Sequence, residues 1–222
     1  MFIRPQYFAV ATIAGVLFFL LGQALLPSLP NDIDAAFGGM VEHRDRLMAA
    51  RLFSSAGAFL LVPAAVGIGC LFRPAARGSR TVLVGALLFG VATFSNAVSQ
   101  AVEGYAGWGA TASDIDPTSG KSILEGLGTG LIGFPIGFWS IPVFALGGLI
   151  LAVGILRAQW VPAWIPVVLF VGLLLGAAFG GRGYIVALTQ APFTVAMIAL
   201  ATYVGKGEAP RTGDSSELVE AC

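Results

Sequence analysis

Four polar side chains recur at helical spacing within the segment 94–105, F-S-N-A-V-S-Q-A-V-E-G-Y. They stand at i, i+3, i+4 and i+7: Asn96, Ser99, Gln100 and Glu103. An α-helix places residues at this spacing on one face. A carboxyl group in a poorly hydrated site can stay protonated at neutral pH and act as a general acid. Glu103 is therefore the candidate proton donor, and Asn96 and Gln100 are expected to orient it and to bind substrate.

A structural role explains the same stripe of side chains. Polar groups in a membrane turn toward the interior of a bundle or toward a partner, and amides join helices by hydrogen bonds. On this alternative, Glu103 is a carboxylate at the membrane interface, paired with Arg51 or Arg182. The catalytic hypothesis predicts instead that neither guanidinium neutralises Glu103, because a proton donor cannot sit in a tight ion pair.

A second candidate acid is Asp116, which forms a D-x-D pair with Asp114. Such a pair could hold a divalent cation or deliver a proton. Helix capping explains Asp116 without chemistry, because Asp followed by Pro117 is a typical helix start. His43 is the only histidine; it lies in a charge-rich segment and is expected to be solvated rather than catalytic.

Aromatic side chains accompany these polar groups. They could line a lipophilic pocket or stabilise a cation, and an aromatic belt at the membrane interface explains them equally well. The candidates for substrate binding are Tyr105, Trp108, Phe138, Trp139 and Tyr184.

The composition indicates a membrane protein. The chain has 222 residues, of which 57% are hydrophobic and 11% are charged. Average soluble domains carry roughly 25% charged residues, so most of this surface cannot face water and the lipid bilayer is its expected partner. The formal net charge is zero, which argues against a nucleic-acid partner because that requires a basic face.

Six largely uncharged runs are long enough to cross a bilayer core, which needs about 20 apolar residues. The predicted spans cover about 7–27, 51–72, 81–103, 126–156, 160–180 and 183–204. The run 126–156 exceeds one straight crossing, so it is either a kinked or tilted helix or a short re-entrant piece followed by a span. The predicted fold is an all-α membrane bundle in a single domain, 1–205.

Two polar segments interrupt this bundle and a third ends it. The segment 31–51 alternates apolar and charged residues, as in an amphipathic helix lying at the interface. The stretch 104–120 is rich in glycine and is predicted to be an irregular loop that follows the interface. The tail 206–222 is polar and predicted to be disordered.

Lysine and arginine set the expected orientation, because they are enriched in cytoplasmic loops. With six spans, one side carries Arg4, Arg73, Arg77, Arg80, Arg157, Lys206 and Arg211. The other side carries Arg44, Arg46, Arg51, Lys121 and Arg182. This excess predicts a multi-pass protein of the cell membrane with both termini, and hence the tail, in the cytoplasm.

Motifs that bind cofactors are missing from the sequence. It contains no D-D-x-x-D run, no Walker loop, no G-x-G-x-x-G and no set of histidines and cysteines suited to zinc, haem or iron. An enzyme built from this chain is therefore predicted to work without metal or cofactor, by acid–base chemistry on a lipophilic substrate.

Two stretches carry a resemblance to known proteins: E-H-R-D-R-L-M-A-A-R-L-F at 42–53 and R-A-Q-W-V-P-A-W at 157–164. With them, the layout resembles small six-span membrane proteins of high-GC actinobacteria. In size and in its lack of cofactor motifs the chain is also similar to small integral-membrane terpene cyclases of bacterial terpenoid pathways. Those enzymes start a carbocation cascade by protonating an alkene or epoxide with a carboxylic acid.

The resemblance implies a proton-initiated terpene cyclase, lyase or isomerase of secondary metabolism, acting on an isoprenoid-like substrate. It carries no catalytic position over to this chain. The alternative, from another class, is a non-enzymatic membrane protein such as a lipophile transporter, an immunity factor or a subunit of a complex. The sequence leaves the oligomeric state open.

Overall fold

The computed structural model of the chain describes residues 5–30, 32–71, 78–129, 139–178 and 184–206. Within these ranges the chain forms eight helices and no strand. They are α1 (Pro5–Leu25), α2 (Ile33–Glu42), α3 (Arg44–Leu71), α4 (Ser79–Ala110), α5 (Pro117–Thr129), α6 (Trp139–Ala158), α7 (Trp164–Ala178) and α8 (Tyr184–Gly205). The prediction of an all-α fold is confirmed.

Five of these helices are long and apolar enough to cross a membrane, namely α1, α3, α4, α6 and α8. The helix α7 is apolar too, but its apolar stretch Trp164–Gly176 is shorter than the other five. The described part of the chain therefore agrees with the predicted membrane bundle, with α7 as the short member.

Six helices form a closed ring around the core. Each packs on the next in the order α1, α3, α4, α6, α7, α8, and α8 returns to α1. The side chains that point inward form one apolar cluster, with members from all six helices such as Val16, Ile68, Phe89, Ile155, Leu169 and Met197. The core of the protein is the interior of this ring.

Close packing in the ring depends on small residues. A methyl group added at Gly57 of α3 would collide with the backbone of Phe19 in α1. Gly85 of α4 meets the backbone of Leu151 in α6 in the same way. Packing of this kind is typical of membrane helices, which gain no hydrophobic free energy from association and rely on close backbone approach.

The helices α2 and α5 lie outside the ring, where α3 begins and α4 ends; we call this the capped end of the bundle. Lys121 of α5 forms an ion pair with Asp34 of α2, and α5 packs on α4 where Gly120 meets the carbonyl oxygen of Ala110. The predicted amphipathic segment 31–51 thus folds as α2 and the first two turns of α3. Asp32 caps α2 by accepting a hydrogen bond from the Ala35 amide at 2.9 Å.

The prediction of an irregular loop from residue 104 onward is wrong, because α4 continues to Ala110. Glycine inside a helix costs up to about 1 kcal/mol relative to alanine, and here tertiary packing offsets that cost. A Cβ atom at Gly104 would lie 2.8 Å from the Cβ atom of Arg51, and one at Gly107 would lie 3.6 Å from the side chain of Leu47. These glycines let α3 approach α4 closely along the capped end.

The long uncharged run 126–156 is not one continuous helix in the described residues. Its start belongs to α5 in the cap, and its crossing part is α6, which begins at Trp139. Residues 130–138, between these two helices, lie outside the described residues, so both alternatives for this run stay predictions. Phe138 and the tail 207–222 lie outside the described residues.

Candidate functional site

The length of α4 places its polar stripe near a membrane surface. The helix has 32 residues, so at 1.5 Å per residue it is about 48 Å long, whereas the hydrocarbon core is about 30 Å thick. Counted from Ser79, the core is crossed after about 20 residues. Gln100 and Glu103 therefore stand at the interface level of the capped end, with Asn96 just below them.

By helix periodicity, the stripe lies on the same side of α4 as the core residue Phe89. Phe89, Asn96 and Glu103 follow one another at intervals of seven residues, which is close to two full helical turns. Phe89 is only 1% exposed and belongs to the apolar core. Phe94, on the opposite face of α4, is 50% exposed and so lies on the outer surface of the bundle. The core-facing side of α4 thus changes from apolar to polar toward the capped end.

Arg51 of α3 contacts the stripe at the end nearer the C-terminus of α4. Its Nη2 atom lies 2.8 Å from Oε2 of Glu103, and its Nη1 atom donates to Oε1 of Gln100 at 2.5 Å. The Ser99 hydroxyl donates to Oε1 of Glu103 at 2.9 Å. Nε2 of Gln100 donates to Oδ1 of Asn96 at 3.3 Å. The four predicted residues and Arg51 therefore form one hydrogen-bonded network.

The prediction that no guanidinium neutralises Glu103 is wrong for Arg51; Arg182 lies outside the described residues. Close approach of α3 at Gly104 brings Arg51 within reach. The guanidinium divides its two terminal nitrogens between Glu103 and Gln100 instead of placing both on the carboxylate. An ion-paired carboxylate carries no proton to donate, so these contacts match the structural alternative and count against Glu103 as the resting proton donor.

Both side chains of the ion pair are partly exposed. The side chain of Arg51 is 23% exposed and that of Glu103 is 43% exposed. Ion pairs at such positions contribute at most about 1 kcal/mol to stability. The pair can therefore separate without unfolding the protein.

Asp116, the second candidate acid, caps α5. Its Oδ2 atom accepts a hydrogen bond from the Ser119 amide at 3.1 Å, and α5 begins at Pro117 as predicted. Asp114 is exposed in the preceding loop. The contact of Asp116 is thus the one expected of a capping residue.

The candidate aromatic residues fall in different places. Tyr105 stands nine residues after Asn96, which is the opposite face of α4, and it is exposed. Trp108 joins α4 to α3: its Nε1 atom donates to Oδ1 of Asp45 at 3.2 Å, and the Arg44 guanidinium lies 4.1 Å from its ring centroid. Trp139 and Tyr184 are the first residues of α6 and α8, and the structure leaves their side chains undescribed.

Three phenylalanines that the sequence analysis did not select lie on the interior below the stripe. The ring centroids of Phe89 and Phe144 are 4.8 Å apart, those of Phe144 and Phe193 are 5.8 Å apart, and those of Phe89 and Phe193 are 6.2 Å apart. We call this cluster the aromatic floor. Extending the seven-residue series backward from Asn96 would have found Phe89, but the other two depend on packing between helices.

Gln190 of α8 is a further polar side chain within a membrane-spanning helix. It stands three residues before Phe193, which places it near the same face, toward the capped end. A Cβ atom at Gly176 of α7 would lie 2.9 Å from its Nε2 atom, so Gln190 packs on the neighbouring helix.

The fold and this site define a multi-pass α-helical membrane protein in which α4 carries a polar stripe beyond its apolar, core-facing residues. No family model, curated protein or solved structure matches the chain. The resemblance to small actinobacterial membrane proteins and to membrane terpene cyclases therefore stays a prediction.

The ion pair can be tested by a double-mutant cycle with Arg51→Gln and Glu103→Gln, measured as unfolding free energy in detergent. We expect a coupling of up to about 1 kcal/mol that shrinks at high salt, because the pair is partly exposed. The same cycle with Arg51→Gln and Asp116→Asn should be additive. Additivity of the Arg51 and Glu103 variants at low salt would contradict the contact.

Proposed function

We propose that the protein binds a lipophilic small molecule in the half of the bundle next to the capped end. It does so as a non-enzymatic membrane component of the lipophile-transporter kind. The supporting observation is the change of the interior face of α4 from apolar at Phe89 to polar at Asn96 and beyond. A lipophile with a polar head matches this arrangement, with its apolar part on the aromatic floor and its head at the stripe.

A structural role, in which the stripe only holds α3 against α4, does not by itself explain these polar side chains. Another contact already serves that purpose: Ser55 of α3 is buried and donates to the carbonyl oxygen of Ala97 at 2.8 Å. Gly90 and Gly104 line the same side of α4 and also pack on α3. Arg51 and Glu103 keep much larger exposed fractions than Ser55. Partly exposed polar groups on an interior face are the kind of groups that receive a ligand.

A photoreactive lipophile tests this proposal. The full-length protein in nanodiscs is incubated with a long-chain probe that carries a diazirine next to its polar head, and the labelled residues are found by mass spectrometry. We expect labelling of Asn96 and Gln100 that an excess of unreactive probe suppresses. Val91 and Phe94, on the lipid-facing side of α4, supply the control, because labelling there should not respond to competition. Labelling confined to the lipid-facing pair would contradict the proposal.

A metal-free acid–base enzyme of the terpene-cyclase or isomerase type is the second candidate. The observation that favours it is the position of Glu103 on the same interior face, where Ser99 orients one of its oxygens. In this candidate Glu103 has to leave Arg51 and take up a proton before it can donate one. The substrate would be an isoprenoid-like lipophile.

An assay in the same nanodiscs distinguishes the binding protein from the enzyme. A polyprenyl compound is incubated with the protein, and the recovered compound is analysed for chemical conversion. Recovery of unchanged compound supports the binding protein. Conversion that falls by roughly 10²–10⁴-fold in Glu103→Gln would support the enzyme, provided Asp116→Asn stays active, since asparagine caps a helix almost as well as aspartate.

We further propose that the protein resides in the cell membrane with both termini in the cytoplasm and the capped end outside. The support is the distribution of positive residues, seven on the side of the termini against five on the other. On this orientation the polar stripe lies toward the outer surface of the membrane.

Cysteine labelling tests the orientation. In a background of Cys70→Ala and Cys222→Ala, Ser113→Cys should react with an impermeant maleimide on intact cells, and Ser215→Cys should react only after permeabilisation. Labelling of Ser215→Cys on intact cells would reverse the proposed orientation.

A further inference from the structure

The hydrogen-bond chain from Arg51 to Asn96 has a fixed direction. A guanidinium has donors and no acceptor, so Gln100 must turn its oxygen toward Arg51, and the two atoms lie 2.5 Å apart. The amide nitrogen of Gln100 is then left to donate, and it does so to Oδ1 of Asn96. Because Asn96 accepts with its oxygen, its amide nitrogen is the group that it turns to other partners. Arg51 thus fixes the amide orientation of a residue that it does not contact.

Asn96 is also the deepest member of the stripe. It stands two turns above Phe89 and two turns below Glu103, which corresponds to about 10 Å in each direction along the helix. The inner end of the polar chain is therefore an amide with N–H donors, at the end of the stripe nearer the aromatic floor. The acceptor oxygens of Glu103 lie farther out and already receive Ser99 and Arg51.

We propose that the ligand is a lipophile that bears an acceptor oxygen, such as a ketone, quinone or ester carbonyl, and that Nδ2 of Asn96 donates to it. This inference rests on the proposed binding function and names the chemical class of its ligand. A lipophilic amine is disfavoured at this position, because it is protonated at neutral pH and an ammonium group has no acceptor for the N–H groups of Asn96. An alkane fits the apolar floor but leaves the amide without a partner, which costs binding free energy.

The test compares three probes of equal chain length on the full-length protein in phosphatidylcholine nanodiscs: a methyl ketone, a primary amine and an alkane. Each competes against the tritiated ketone, with empty nanodiscs as the blank for partition into lipid. We expect the ketone to bind roughly three- to tenfold more tightly than the alkane, the effect of one neutral hydrogen bond.

Variants at position 96 then test whether the Asn96 amide causes the preference for the ketone over the alkane. Asn96→Leu keeps a similar volume without donors, so it should bind ketone and alkane equally. Its affinity for the alkane should be at least the wild-type value, because no amide is left without a partner, and this also reports intact folding. Asn96→Asp exchanges the donors for an acceptor and should favour the amine over the ketone. Val91→Leu, on the lipid-facing side of the same helix, should keep the wild-type preference.

The outcomes separate the two proposals. If none of the three probes binds above the blank, the proposed binding function fails. If the probes bind but the ketone has no advantage over the alkane, or keeps its advantage in Asn96→Leu, the binding function stands and the assignment of an acceptor-bearing ligand to Asn96 is overturned.

Discussion

Polar side chains on the core-facing side of a membrane helix need hydrogen-bond partners. This requirement determines the side-chain contacts near the capped end of the bundle. Each donor and acceptor of Asn96, Gln100 and Glu103 has to be met by another side chain, by water or by a ligand. Arg51 meets two of them at once, and Gly104 makes room for it. The close approach of α3 to α4 at Gly104 thus positions one guanidinium, and that guanidinium sets the direction of the hydrogen-bond chain.

The start of α3 serves neighbouring helices as well. Arg44 donates to the carbonyl oxygen of Trp108 at 2.9 Å, close to the end of α4, and Arg46 donates to that of Leu25 at 2.8 Å, at the end of α1. Both helices end beside the start of α3, and cations are favourable at helix C-termini, where carbonyl groups lack helical partners. The charged segment 42–51 therefore ties three helices together, which accounts for most of its charge without assigning it chemistry.

Sequence reasoning captured features that depend on local patterns. Hydropathy predicted the helical membrane fold, and the spacing of Asn96 and Glu103 predicted one polar face, because both follow from helix geometry alone. The capping role of Asp116 was equally local. The end of α4 was mispredicted because Gly104 and Gly107 are stabilised by packing on α3. The sequence offered both a free acid and pairing with Arg51 for Glu103, because local patterns do not report contacts between residues 52 positions apart. The aromatic floor joins α4, α6 and α8, and single-chain periodicity does not report which helices are neighbours.

The central claim is that the stripe at Asn96 faces the interior of the bundle while Phe94, two residues away, faces lipid. Spin labels at Asn96→Cys and Phe94→Cys, each in the Cys70→Ala and Cys222→Ala background, measure this directly through collision rates with oxygen and with a water-soluble nickel chelate. The account predicts that the label at 96 collides preferentially with the nickel chelate and the label at 94 preferentially with oxygen. A preference for oxygen at both positions would place the stripe against lipid and contradict it.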